Sequence, residues 1–298
     1  MKRLLPFFFL TLPLAAPACD ICGCGPGSSF VGILPQAGRG FAGLRYRIKS
    51  YDSHLSSRFL KTRETFQTAE LWARWYPLNR VQILAFVPVQ FNRQQTAGDV
   101  YHRNGLGDVT VLAHYNLVNT ALDTVPRRVN HNLLVGLGVK APTGKFRYVA
   151  DGTEVANPNF QLGTGSTDPL LSTIYTLRAG TWGWNTDATL RLTTRNADGY
   201  RFGNRATASS SLFFVKNGAS LTWMPNAGVT LETAARDRDH GTPNANTGGY
   251  LTLGTLGLEA YTKRLSMGLN WQTPLAQYLA GGELRSRNRA MGHVTVLF

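Results

Sequence analysis

The chain has 298 residues, a formal charge of +14 and 43% hydrophobic residues. No internal run approaches the roughly 18 uninterrupted apolar residues of a membrane-spanning helix, which excludes a helical membrane protein. Charged residues are only 16%, below the roughly 25% usual in soluble domains, and 31 glycines with 11% aromatics fit an all-β chain with many turns better than a helical bundle or a disordered polymer.

The amino terminus reads as a secretion signal over residues 1–18. Lys2 and Arg3 form the basic start, Leu4 to Leu14 the apolar core, and Ala16-Pro17-Ala18 the small-residue cleavage site. The core is too short, and too broken by Pro6 and Pro13, for a membrane anchor. Residues 19–37 follow as a Cys-rich periplasmic segment that carries all three cysteines, Cys19, Cys22 and Cys24. Three readings stay open. Cys19 can be the acylated first residue of a lipoprotein, although Ala16-Pro17-Ala18-Cys19 is a poor lipobox. Two thiols can pair in an oxidising compartment, leaving one over. The cluster can also hold a soft ion such as Cu or Zn, without the second ligand pair of a zinc finger.

From residue 38 to 298 the sequence alternates. Leu44, Tyr46 and Ile48 share one face and Arg45, Arg47 and Lys49 the other. Val81, Ile83, Ala85, Val87, Val89 and Phe91 face away from Gln82, Gln90 and Asn92, with Leu84, Phe86 and Pro88 as exceptions on the polar side. Similar alternation marks 108–117, 129–141 and 184–195. Such segments exceed the roughly 5–6 residues of a soluble strand and match the roughly 9–11 of a transmembrane one. Backbone satisfaction in lipid then requires closure. The expected fold is all-β: a single-chain antiparallel transmembrane barrel of about twelve strands, an even count that puts both ends in the periplasm. The strands are expected near 38–51, 63–76, 80–92, 105–118, 128–142, 167–179, 182–195, 203–216, 219–236, 248–261, 265–275 and 289–298. Pro225 is expected to bulge or split the ninth. Connections alternate short (77–79, 179–181, 261–264) and long (93–104, 142–167), and Asn217-Gly218 signals a two-residue hairpin. The chain ends on Phe298 after an alternating strand, which resembles the recognition signal for the barrel assembly machinery.

Three segments carry a family resemblance: Gly105-Leu106-Gly107-Asp108-Val109, the run from Gly136 to Gly144, and Gly163-Thr164-Gly165-Ser166-Thr167-Asp168. Their order resembles the outer-membrane family of phenol meta-pathway transporters, itself distantly similar to the long-chain fatty-acid transporter. The Cys19-to-Gly25 head resembles a subgroup from Bacteroidetes-type bacteria. The resemblance implies a barrel in the outer membrane of a Gram-negative bacterium, a transport role and no catalytic residues. Read physically, Asp108 and Asp168 sit among glycines as turn formers, which favours a structural role at a loop base over ligand contact.

No enzyme chemistry emerges. Pro142-Thr143-Gly144-Lys145 lacks the first glycine and the hydroxyl residue of a phosphate loop, and Ser209-Ser210-Ser211 is not a nucleophile elbow. His114 and Asp108 lie on one strand about 20 Å apart, and Glu70 is also too far along its strand to touch Arg74.

Basic residues number 31 against 17 acids. Arg45, Arg47, Lys49, Arg74, Lys140, Arg191 and Arg195 are expected on the lumen face, and Arg201, Arg236 and Arg238 in outer loops. Export makes nucleic acid an improbable partner. The expected partners are outer-membrane lipid and lipopolysaccharide, whose phosphates basic rims can hold, together with the assembly machinery and a small solute. A basic lumen attracts anions. Equally, its arginines can pair with acids on neighbouring strands and fill the interior. The functional expectation is a barrel that transports or binds small anionic or amphipathic solutes. The alternative is a non-conducting docking barrel whose Cys-rich tail binds a soft metal or a periplasmic redox or metal protein. A metal role predicts about one Cu or Zn ion per reduced chain, lost in the Cys22→Ser/Cys24→Ser variant; unchanged metal content in that variant contradicts it.

Overall fold

The alternating segments close into a twelve-stranded antiparallel barrel. The computed structural model describes residues 39–57, 61–122, 128–146 and 159–298, so the signal and the cysteine head lie outside the described residues. The strands are β1 (Phe41–Ser53), β2 (Thr62–Leu78), β3 (Val81–Gln95), β4 in two pieces (Val100–Leu106 and Thr110–Asn119), β5 (Val129–Lys140) and β6 (Asp168–Ala179). They continue as β7 (Trp182–Arg191), β8 (Arg205–Phe214), β9 (Thr222–Ala234), β10 (Gly249–Tyr261), β11 (Leu265–Leu279) and β12, again in two pieces (Leu284–Ser286 and Arg289–Leu297). Each pairs with its sequence neighbour. The first meets the last from Phe41↔Leu297 to Ile48↔Ala290 and again from Tyr51↔Ser286 to Ser53↔Leu284. This seam leaves no open edge.

Period-two patterning sorts the side chains. Outward residues are apolar and bare: Leu44, Leu71, Leu137, Leu256 and Leu269 are all more than half exposed. A belt of this extent suits hydrocarbon rather than water. Exposed Trp75, Tyr115, Trp182, Trp184 and Trp223 gather near the short-turn end, and Tyr250 and Tyr278 pair near the other. Aromatic residues at both rims are the usual markers of the membrane interfaces.

Several expectations change. The long connection at 93–104 is a hairpin running to Gln95 and restarting at Val100. The fourth strand therefore begins earlier than expected and breaks at 107–109. Asn217 pairs with Thr222, so the Asn217-Gly218 signal becomes a wider turn, with the Gly218 N–H donating to the Leu221 carbonyl at 3.0 Å. Pro225 neither bulges nor splits β9, which pairs with β10 through it without a register shift. The interruption lies in the partner: the β8–β9 ladder stops at Phe213↔Asn226 and resumes at Lys216↔Trp223, so the proline falls where no donor is needed. The seventh strand stops at Arg191, four residues short of the expected end. Beyond it, side chains replace the ladder: Thr193 N–H donates to Asn204 and Thr194 N–H to Asp168.

The interior is not uniformly polar. Leu84 and Phe86, the exceptions in the β3 pattern, are fully buried with Phe41, Trp72, Leu112, Leu170 and Leu297. A second apolar cluster joins Tyr51, Phe66, Phe160, Ala280 and Leu284. At the long-loop end a small sheet (Tyr200–Arg201, Arg238–Asp239, Thr242–Pro243) stands on Asp237, which accepts from Tyr200 Oη at 2.8 Å and from Gly203 N–H at 2.6 Å.

Candidate functional site

The inward side of β1 reads Phe41, Gly43, Arg45, Arg47, Lys49, Tyr51 and Ser53. Three consecutive cations therefore stand between two aromatic residues, each belonging to one of the apolar clusters. Alternation places all three guanidinium and ammonium groups in one lumen file, and the neighbouring strand supplies the counter-charge. Glu70 of β2 is opposite Arg45. It accepts from Arg45 Nε at 2.9 Å and from Arg47 Nη2 at 2.7 Å, with all three residues buried. The Arg45 guanidinium also lies over Trp72 at 5.0 Å and Phe86 at 5.3 Å. Stacking and the carboxylate together compensate its desolvation.

Above this pair, Arg289 of β12 grips Glu232 of β9 with both terminal nitrogens, at 2.8 and 3.2 Å, and donates to Tyr51 Oη at 2.9 Å. Lys49 shares the field of Arg289, Arg47, Arg205 and Glu232. This side of the lumen thus holds Arg45, Arg47, Lys49, Arg205 and Arg289 against Glu70 and Glu232. Other inward acids border this side or lie farther round: Glu64 is opposite Tyr51, and Glu259 reaches His293, itself opposite Arg45. Glu64 accepts from Gln94 at 2.9 Å, Glu259 faces His293 at 3.2 Å, and Asp187 sits opposite Ser209. The cationic surplus is local.

The three glycine motifs converge on one buried cluster. Lys140, the last residue of β5, is fully buried. Its Nζ donates to Asp108 at 2.8 Å, to the Ser166 carbonyl at 2.8 Å and to the Thr164 hydroxyl, and stands 3.2 Å from Asp168. Asp108, in the break of β4, also accepts from Gly144 N–H at 3.0 Å and Thr164 N–H at 2.9 Å. Asp168 accepts from Ser166 Oγ at 2.9 Å. Gly144 and Gly163 meet here: a Cβ on Gly163 would clash with Asp108 Oδ1 and with the Gly144 carbonyl oxygen, so only glycine permits the contact. The cluster bolts residues 159–166 to the wall. This stretch folds into the barrel, with Phe160 against Phe66 and the Leu162 carbonyl accepting from Gln90 Nε2 at 2.7 Å.

The lumen set expected from sequence therefore divides. Arg45, Arg47 and Lys49 stand together. Arg74 faces inward nearer the short-turn end, over Phe41 at 4.9 Å and Tyr76 at 5.4 Å, donating to the Arg39 carbonyl. Lys140 is sealed in the loop clamp rather than lining a path, and Arg191 is buried beside it, 3.9 Å from Asp168. Arg195 is exposed on the outer loop, because its strand ends first. Arg289, Glu70 and Glu232 went unread as partners, since a cross-strand pair needs a register that composition does not supply. Cys19, Cys22 and Cys24 lie outside the described residues.

The fold is similar to that of the COG4313 outer membrane channel from Pseudomonas putida F1, with a TM-score of 0.62 at 17% identity over 89% of this chain and 97% of that one. The NanC porin (TM-score 0.42, 13% identity, 85% and 98% covered) and the CymD monoaromatic hydrocarbon channel (0.40, 9%, 88% and 88%) align more loosely. No family model and no curated protein matches the chain.

Replacing Lys140 by Met takes the cation from buried Asp108 and leaves Asp168 with Arg191 at 3.9 Å, and breaking such a buried pair costs about 3–5 kcal/mol. The Lys140→Met barrel is expected to unfold at lower urea concentration in a gel-shift titration, with recovery on adding Asp108→Asn and Asp168→Asn. A Lys140→Met midpoint equal to wild type contradicts the clamp.

Proposed function

We propose that the chain is an outer-membrane channel that passes small amphipathic anions. The observation that carries this is the inward file Arg45–Arg47–Lys49, joined by Arg205 and Arg289, set between two aromatic layers, in which these five cations exceed the carboxylates that stand beside them among the described residues, Glu70, Glu232 and Glu64. The aromatic layers offer apolar contact to a ring or short chain, and the cations offer attraction to its acid group. In a narrow, low-dielectric passage a local surplus of one sign concentrates counter-ions and excludes co-ions. Pairing with Glu70 and Glu232 holds the side chains in place while leaving the file net positive. The clamped stretch 159–166 narrows the lumen from one side, which limits passage to small solutes. The likeness in fold to an outer membrane channel supports a conducting barrel, and the motif resemblance to phenol meta-pathway transporters and their Cys-headed subgroup supports the same class of solute.

Proteoliposome swelling tests this with size-matched solutes. Benzoate is expected to enter about tenfold faster than benzylammonium, the lower end of electrostatic focusing in charged clefts. Lys49→Gln/Arg205→Gln is expected to shrink that ratio without altering the heat-modifiable gel shift of the folded barrel. Equal entry of the two solutes contradicts anion preference. Entry of neither contradicts a channel and favours a docking barrel acting through Cys19, Cys22 and Cys24.

A further inference from the structure

Outside the lumen, the long-loop end of the seam carries a second concentration of arginines. Parity turns Asp52 of β1, Arg63 of β2 and Arg93 of β3 away from the lumen, and Arg285 of β12 is opposite Asp52. Register makes them neighbours: Asp52 lies between Arg63 and Arg285, and Arg93 is opposite Thr65, diagonal to Arg63. Arg287, in the break of β12, adds a fourth. Asp52 is the acid among them, taking Arg63 Nε at 3.2 Å and Arg287 Nε at 2.7 Å. Both contacts use Nε, so the terminal nitrogens of two half-exposed guanidiniums are not spent on Asp52. Among the described residues, Glu283 on the loop before β12 is also near and accepts from Ser56 N–H at 3.1 Å, while Glu64 faces inward.

The wall is notched at this place. The β11–β12 ladder runs to Gln272↔Arg289 and then returns only at Leu279↔Leu284. Between these points side chains bridge the strands. Ser286 N–H donates to Gln277 Oε1 at 2.6 Å, and Thr273 Oγ1 donates to Asn288 at 3.0 Å. The notch has a volume of about 600 Å³ and is lined by Ser50, Asp52, Thr273, Gln277, Arg285 and Arg287, among others. Exposed Tyr278 lies one residue from the Leu279↔Leu284 pair and so marks interfacial depth, and exposed Leu275 and Trp271 continue the strand toward the apolar belt.

We propose that this outward notch binds a phosphorylated glycolipid headgroup of the lipid A type, its phosphate on Arg63, Arg285 and Arg287 and its acyl chains along Leu275 and Trp271. The proposal rests on the outer-membrane reading above. Guanidinium forks suit phosphate oxygens, and basic pockets on a membrane protein at headgroup depth recognise anionic lipid heads. A glycolipid is favoured over a free anion because the arginines face outward above an apolar surface, where a lipid presents phosphate and chains together. Free phosphate supplies only the charge, which salt screens at exposed sites.

Native mass spectrometry of the full chain, extracted from outer membranes in mild detergent and titrated with bisphosphorylated lipid A, tests the site. Wild type is expected to retain the lipid, and Arg285→Gln/Arg287→Gln to weaken it about tenfold or more, the factor that one lost charge-assisted contact corresponds to. Arg93→Gln, which leaves the Asp52 pairs intact, is expected to give a smaller loss and serves if the double variant does not fold. Fully dephosphorylated lipid A is expected to be retained poorly, and excess inorganic phosphate not to displace the phosphorylated form. Undiminished retention by both variants, or equal retention of the dephosphorylated lipid, overturns the site. Displacement by inorganic phosphate overturns the lipid assignment in favour of a free-anion site. Gel shift and benzoate swelling should match wild type, because these residues face outward. Failure of the lipid site with swelling intact leaves the channel reading standing, whereas absence of the wild-type chain from outer membranes would remove that reading itself.

Discussion

A chain crossing hydrocarbon as strands has nowhere to place an unpaired amide except against another strand. The ladder between β1 and β12 therefore holds the rest of the structure in place. Once Phe41–Ile48 is zipped to Ala290–Leu297, every strand has two neighbours, and alternation assigns each side chain to lipid or lumen. Where the ladder fails, side chains take up the backbone groups. Thr143 Oγ1 accepts from Val109 N–H and donates to the Gly107 carbonyl across the break in β4. Gln277 does the same for Ser286 at the notch, and beyond β7 Asn204 accepts from Thr193 N–H while Arg201 Nε donates to the Thr193 carbonyl. These breaks are where the barrel departs from a plain tube: one receives the inward loop and another opens the outward notch.

The same residue types perform two tasks, separated by burial. Lys140 between Asp108 and Asp168 is sealed and matched by acids, so it holds the loop in place. Arg45, Arg47 and Lys49 also have partners, yet their side of the lumen keeps more cations than carboxylates, and aromatic faces help to carry them. Buried charge in a low dielectric is tolerated only with such support. Pairing across strands and a local excess of cations are not exclusive: the file that pairs with Glu70 and Glu232 is the one that keeps the excess.

Much of the fold was legible because period two survives any register. The lumen placement of Arg45, Arg47 and Lys49 and the apolar belt follow from alternation, while the number of strands needed the even-count rule of such barrels beside it. Legibility ended where contacts depend on register or on loops that return. Glu70 meets Arg45 across strands, so its role is invisible in its spacing from Arg74 along its own strand. Leu84 and Phe86 looked like errors in the pattern and are a buried layer. Lys140 had the parity of a lumen residue, but the inward fold of 159–166 that covers it has no periodic signature. Arg195 kept the right parity beyond the point where its strand had stopped.

On the proposed function, the cationic file between the aromatic layers sets the sign of what crosses. The reversal potential of the purified chain in a planar bilayer under a steep KCl gradient measures that sign. A potential displaced toward the chloride equilibrium value is expected. A potential at zero, or displaced toward the potassium value, would contradict it.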